Sequence, residues 1–116
     1  MDRRNFLTVL AIAGTTVSAT QTLAADALIA GTYSVQGRNT DGHPYQGFAH
    51  VMQDGSSVNI QWAIGEEIVI GNGAIDGKIV TVEWNAEFPV VYVVAVDGEL
   101  HGTWADGLAL DKLTPQ

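Results

Sequence analysis

The sequence contains no cysteine and few basic residues, with five Lys and Arg against 13 Asp and Glu. Without cysteine the fold has no disulfide bonds, so side-chain packing and closure of a sheet must stabilise it. The formal net charge of −8 disfavours nucleic acids and anionic membrane surfaces as partners, because binding to both depends on Lys and Arg. We therefore predict no nucleic-acid partner, and we expect the charge to attract a basic protein or a cation.

Motifs of enzymes and of cofactor-binding proteins are also missing. The chain has no Gly-x-Ser-x-Gly elbow, and the glycine-rich tract 71–73 does not match a dinucleotide-binding fingerprint. Neither the adjacent acids Glu66 and Glu67 nor Glu83 form a carboxylate pair that would face one cleft. The three histidines are His43, His50 and His101, and they lack the short spacing in sequence that is typical of metal ligands. We predict that the protein is not an enzyme and that it carries neither a cofactor nor a metal site.

A membrane-spanning apolar run is missing as well, and the N-terminus has the pattern of an export signal. Arg3 and Arg4 precede the apolar run 6–13 and a tract of small residues, which resembles the twin-arginine signal of bacteria. Gly14 and several polar residues interrupt the tract, so it falls short of the roughly 20 apolar residues that span a membrane. We expect export and no stable membrane span after cleavage of the signal.

The cleavage site divides the chain into a signal and one domain. Small residues at positions −3 and −1 relative to the cleaved bond allow cleavage after Ala24, Ala25 or Ala27, of which the first two are favoured. We predict a helical signal peptide over 1–25 and a single domain over 26–116 that works in the periplasm or as a secreted protein.

The sequence after the predicted signal peptide contains turn signals and alternating apolar residues. Asp-Gly pairs, which favour tight hairpins, begin at positions 41, 54, 76, 97 and 106. Between them apolar residues recur at every second position, as in Val58, Ile60 and Trp62. The segment 54–62 also aligns without gaps to 76–84, and each copy is a turn followed by a strand whose apolar face ends in Trp.

These signals predict an all-β fold of about eight antiparallel strands in sequential order. Closure of the sheet removes both exposed edges, so a single small up-and-down barrel of the lipocalin or avidin type is the expected architecture. Two stacked sheets are the alternative. The expected strands are 31–37, 45–53, 57–64, 67–73, 78–84, 89–96, 99–105 and 108–113.

The same turn and packing residues resemble a family of small exported bacterial proteins that are often labelled fibronectin-binding. The resemblance covers 31–115 and consists of Gly31-Thr32-Tyr33, the tract 41–47, a strand ending in Trp, and the tract 97–107 with a closing Leu-Thr-Pro. The layout is also similar to lipocalin and avidin barrels, whose first strand carries Gly-x-Trp. The resemblance implies a barrel and an extracellular-matrix partner.

The segment 89–96 motivates the first functional hypothesis, because it is apolar on both faces whereas a barrel strand in water needs one apolar face. We predict a non-enzymatic binding module of protein-partner or adhesion type, in which this strand docks a partner or a second copy. The predicted partner surface is Val91, Val93 and Ala95.

Aromatic residues motivate the alternative hypothesis, a carrier of a small apolar ligand inside the barrel. Six aromatic side chains are candidates for the lining of such a pocket: Trp62, Trp84, Trp104, Tyr33, Tyr45 and Tyr92. The predicted ligand-binding set is Trp62, Trp84, Trp104, Tyr33 and Tyr92; packing in the barrel core is the other interpretation of the same residues. The acidic charge suggests a third hypothesis, inhibition of a basic hydrolase such as lysozyme.

Overall fold

A computed structural model describes residues 25–116, which form one closed antiparallel barrel. The predicted signal peptide, apart from its last residue, lies outside the described residues. No helix among the described residues is long and apolar enough to cross a membrane. The eight strands are β1 (Gly31–Arg38), β2 (Pro44–Asp54), β3 (Ser57–Ile64), β4 (Glu67–Asp76), β5 (Ile79–Glu83), β6 (Val90–Val94), β7 (Leu100–Trp104) and β8 (Ala109–Pro115).

Pairing of the first strand with the last closes the barrel. Strand β1 pairs with β2 on one side and with β8 on the other, in a register that runs from Tyr33 opposite Pro115 to Arg38 opposite Leu110. Strands β2 to β7 each pair with their two sequence neighbours, and β8 pairs with β7 and β1. The predicted up-and-down barrel is therefore confirmed, and the alternative of two stacked sheets is wrong.

The two copies of the repeat form equivalent hairpin strands, β3 and β5. Gly55 and Gly77, which follow the Asp of each copy, have φ angles of 62° and 63°, in the left-handed region that favours glycine. Strand β6 is shorter than the predicted 89–96, because a turn begins at Ala95. The Ala95 N–H donates to the Glu99 carbonyl oxygen at 2.8 Å, so this residue belongs to the β6–β7 loop.

Alternation along each strand separates the core from the outer surface. The inward positions of all eight strands supply one apolar cluster, and Asp111 is the buried charged residue within the described part of the chain. The most completely buried apolar side chains are Tyr92, Ile60, Leu100, Leu113, Val35, Val51, Val80 and Val82.

One end of the barrel, here called the closed end, carries the β2–β3, β4–β5 and β6–β7 turns and is sealed by the segment 25–30. Ile29 in this segment is only 2% exposed, and its carbonyl oxygen accepts a hydrogen bond from the Tyr33 hydroxyl at 2.6 Å. Gln53 binds the segment twice: its Oε1 accepts from the Ile29 N–H at 2.8 Å, and its Nε2 donates to the Ala27 carbonyl oxygen at 3.0 Å. The opposite end, here called the open end, carries the other four loops.

Candidate functional site

A pocket of about 290 Å³ enters the barrel at the open end. Four aromatic side chains form its walls: Tyr45, Trp62, Trp84 and Trp104. Strands β3, β5 and β7 all run toward this end, and each has a Trp at or near its last residue. The repeat therefore explains why Trp62 and Trp84 meet here, because equivalent strands of a meander point in the same direction.

The aromatic walls are held in fixed orientations. The rings of Trp84 and Trp104 pack edge to face with centroids 5.4 Å apart, and those of Tyr45 and Trp104 lie 6.3 Å apart. The Trp84 indole N–H donates to the Phe88 carbonyl oxygen at 2.9 Å, which ties the ring to the β5–β6 loop. These contacts fix a half-buried aromatic cluster at the wall of the pocket.

The floor of the pocket contains a buried carboxylate, Asp111, which is only 5% exposed. The Tyr45 hydroxyl donates to Asp111 Oδ1 at 2.7 Å, and the Tyr92 hydroxyl donates to Oδ2. Each hydroxyl also accepts from an indole N–H at 3.0 Å: Tyr45 from Trp104, and Tyr92 from Trp62. Two Trp–Tyr pairs thus converge on one carboxylate and connect the walls of the pocket to its floor.

Two glycines make this convergence possible. In the register of the barrel, Gly37 lies between Tyr45 and Asp111, and Gly102 lies between Tyr92 and Asp111. A Cβ atom at position 102 would approach Tyr92 Cδ1 to 2.5 Å, and one at position 37 would collide with the Tyr45 ring. Each tyrosine therefore reaches across a strand over a residue that has no side chain.

Burial dominates the electrostatics of this floor. It raises the pKa of Asp111 above the ordinary aspartate value, although the hydrogen bonds from Tyr92 and Tyr45 act in the opposite direction. Burial and the nearby Asp111 charge raise the pKa of Tyr92 and Tyr45, so both hydroxyls keep their protons. Within residues 25–116 the ion pairs join His43 to Asp41 and His101 to Glu99, and no basic side chain pairs with Asp111.

The structure brings only part of the predicted ligand-binding set to the pocket. Trp62, Trp84 and Trp104 line it, whereas Tyr92 is fully buried and contributes through its hydroxyl beneath the floor. Tyr33 lies at the closed end against Ile29 and is not part of the pocket. Asp111 was not among the predicted site residues, although the alternation of Ala109, Asp111 and Leu113 gives it an inward position.

The predicted partner surface is split between a strand and a loop. Val91 and Val93 point outward from β6, and Val93 is 49% exposed, but Ala95 lies in the β6–β7 loop. A larger exposed apolar area lies on strands β2 to β4 and was not predicted from the sequence. It contains Phe48, Ile68 and Ile70, with exposed fractions of 57%, 61% and 54%.

The polar residues weighed from the sequence lie apart from the pocket, with one exception. Glu67 belongs to the pocket lining, whereas His43, His50 and His101 are exposed on the outside. In the part of the chain that the structure describes, no three His, Asp or Glu side chains come together as a bound metal ion would need.

Comparisons with known proteins define the class of fold. No family model matches the chain, and no curated protein matches it. Among solved structures the chain is similar to a redesigned β-barrel, with a TM-score of 0.55 and 22% sequence identity over 76% of this chain and 91% of that one. The protein is thus a closed eight-stranded antiparallel barrel, and this likeness shows the fold alone; it supports no family and no fibronectin-binding name.

Proposed function

We propose that the protein is a non-enzymatic barrel that binds a small molecule in the open-end pocket. The observation that carries this proposal is the hydrogen-bonded set of Trp and Tyr side chains that joins the pocket walls to Asp111. Because these rings are already fixed, binding does not have to order them, which favours affinity. The volume of about 290 Å³ lies at the lower limit of the roughly 300–1,000 Å³ of ordinary ligand pockets. A small ligand is therefore expected.

The chemistry of the lining supports binding rather than catalysis. The described residues that form the pocket include no Ser, Cys, Lys or His, and their polar groups are Asn39, Glu67, Asp111 and the aromatic N–H and O–H groups. The Asp111 oxygens and the two tyrosine hydroxyls are already bonded to each other. We place this binding activity in the periplasm or outside the cell, on the basis of the twin-arginine pattern.

Nuclear magnetic resonance of the indole N–H groups tests this proposal. The three tryptophans all lie at the pocket, so their three indole signals report on it without labels. Small neutral aromatic and aliphatic compounds should shift the Trp84 and Trp104 signals, assigned by Trp→Phe variants, and leave the amide signals of Gly55 and Gly77 at the closed end unchanged. A screen of these compounds and of small organic cations in which none shifts an indole signal would contradict the proposal.

The outer surface supports a second candidate function, association with a protein, and a second copy of this chain is the simplest partner. Phe48, Ala63 and Ile68 lie in one cross-strand row on the outside, next to Ile70. Contiguous exposed apolar side chains of this kind mark interaction sites. Light scattering of the protein and of Ile68→Lys over a concentration range tests it: a dimer that the substitution dissociates supports self-association, and a monomer in both removes it.

The part of the predicted partner surface that lies on β6 has its own test. Val93→Lys should weaken association with a partner if Val91 and Val93 dock it, and should have no effect if the area on β2 to β4 does so. Binding to an extracellular-matrix protein and inhibition of a basic hydrolase are further hypotheses about the same outer surface, and each is removed by a direct binding assay with no signal.

A further inference from the structure

The floor of the pocket contains a carboxyl group that no basic side chain of the described residues compensates. Asp111 is buried, and within the described residues its partners are the two tyrosine hydroxyls and no Lys, Arg or His. An ionised carboxylate that is removed from water without a cationic partner is unfavourable. A carboxylate oxygen accepts two hydrogen bonds, so Oδ1 and Oδ2 each retain acceptor capacity after the tyrosine contacts. A ligand that carries positive charge would compensate this group.

The walls of the pocket also favour a positively charged ligand. Trp84 and Trp104 pack edge to face, and with Tyr45 and Trp62 they surround the space above the carboxylate. Aromatic faces are negative, and among the aromatic side chains Trp attracts cations most strongly. Ile64, Val69 and Val90 add an apolar part to the wall, and Asn39 and Glu67 are its other polar residues. A bare metal ion would not fill a pocket of this size and surface, whereas an ammonium group with alkyl substituents would contact both the rings and the apolar wall.

The loops around the entrance also carry negative charge. Exposed acids occur in or beside the open-end loops at Glu66, Glu67, Glu83, Glu87 and Asp106. Among residues 25–116, the Lys or Arg in or directly beside these loops is Arg38, at the end of β1, and its guanidinium donates to the Gly42 carbonyl oxygen at 2.9 Å. A rim with an excess of acidic residues above a pocket concentrates ligands of positive charge.

We propose that the ligand of the open-end pocket is a small organic cation, an alkylated ammonium group whose positive charge lies over the faces of Trp84 and Trp104 and toward Asp111. This inference rests on the proposed function and specifies its ligand class. A neutral ligand of the same shape would contact the same walls but would leave the carboxylate uncompensated. An anion would meet Asp111, the ring faces and the acidic rim, all of which are unfavourable to it.

Choline and 3,3-dimethylbutan-1-ol test the inference, because the two molecules have the same shape and differ by a positive nitrogen in place of carbon. Choline should bind about tenfold or more tightly than the alcohol, as measured from the indole N–H signals. Asp111→Asn should reduce this ratio, and the tryptophan rings should account for the preference for choline that remains. Since that substitution acts on a buried group, Trp84→Leu serves as a second variant: it keeps an apolar wall, removes the ring face and should also reduce the ratio.

The outcomes separate the two proposals. If the alcohol binds as tightly as choline, or if neutral compounds alone shift the indole signals, the pocket is a binding site and the cationic ligand class is wrong. If neither choline nor any neutral compound shifts an indole signal, both proposals fail. If choline binds more tightly but Trp84→Leu and Asp111→Asn leave the ratio unchanged, the cation binds elsewhere and the inference is overturned.

Discussion

Tyr92 on β6 and Asp111 on β8 are joined by a hydrogen bond that crosses the strand between them, β7. The Tyr92 ring passes over Gly102, which lies between them in the register. Tyr45 reaches Asp111 from the other side over Gly37 in the same way. The order Tyr, Gly, Asp, Gly, Tyr across five adjacent strands builds the floor of the pocket.

Gly102→Ala is expected to destabilise the protein by about 1–3 kcal/mol, because the added methyl group overpacks a rigid site. The new Cβ would approach the Val91 carbonyl oxygen to 2.6 Å, and the Tyr92 ring cannot move without breaking its bonds to Trp62 and Asp111. Urea denaturation measures the change. Thr103→Ala on the outer face of the same strand is the control and should alter stability by less than about 0.5 kcal/mol; equal effects would contradict the account.

Tyr92→Phe should be more destabilising than Tyr45→Phe. The Tyr92 hydroxyl is fully buried, so its removal leaves the Trp62 N–H and one Asp111 oxygen without a partner, at a cost of about 1–3 kcal/mol for each group. Tyr45 is half-buried at the pocket, where water can replace its hydroxyl. Thermal and urea unfolding of both variants check this order. A reversed order would show that the Tyr45 hydroxyl contributes more to stability than the Tyr92 hydroxyl.

Asp111 should make stability depend on pH in the opposite sense to an ordinary ion-paired aspartate. Its pKa is raised in the folded protein, so between that pKa and the unfolded value of about 4 the folded state holds more protons. Its contribution to stability is therefore present below the unfolded pKa and is lost as the pH rises through the folded pKa. Asp111→Asn removes this dependence.

The free energy of unfolding of the protein minus that of Asp111→Asn should accordingly increase as the pH falls from neutral toward about 4. All other carboxylates are common to both proteins, so the difference isolates Asp111. Titration of the Asp111 carboxyl carbon by nuclear magnetic resonance measures the pKa directly in the unsubstituted protein. A difference that stays flat or decreases on acidification would show that this pKa is not raised.

The closed end depends on Ile29, the most buried apolar residue of the N-terminal segment. Ile29→Ala should destabilise the protein by about 2–5 kcal/mol, because the side chain is 2% exposed and its loss opens a cavity beneath the core. The adjacent Leu28 is 92% exposed, so Leu28→Ala is a matched control and should have little effect. Equal stability of the two variants in urea would contradict the role of Ile29 as a seal.

Local signals account for the parts of this fold that the sequence predicts well. The Asp-Gly turns and the alternation of Val58, Ile60 and Trp62 are properties of neighbouring residues, and the strands lie within a few residues of their predicted bounds. The repeat likewise places Trp62 and Trp84 at the same end. Strand β6 is shorter than predicted because a hydrogen-bonded turn at Ala95 interrupts a run whose apolar composition alone favoured a longer strand.

The floor of the pocket could not be predicted in the same way. Alternation along β8 makes Asp111 inward, but its partners Tyr45 and Tyr92 are distant in sequence, and closure of the barrel brings Tyr45 to it. A lone Asp in a predicted strand is ordinarily assigned to the outer face. Tyr33 lies at the closed end because it is near the start of β1, whereas the three tryptophans lie at the ends of strands that run in the same direction.

Substitution of adjacent inward and outward residues tests the central claim, ligand binding in the open-end pocket, most directly. Val69 lines the pocket opposite Trp62, and Ile70 beside it points outward and is 54% exposed. The affinity for choline, or for any compound that shifts the indole signals, should be lost in Val69→Phe, which fills the pocket, and retained in Ile70→Phe. Unchanged affinity in a folded Val69→Phe variant would contradict the account.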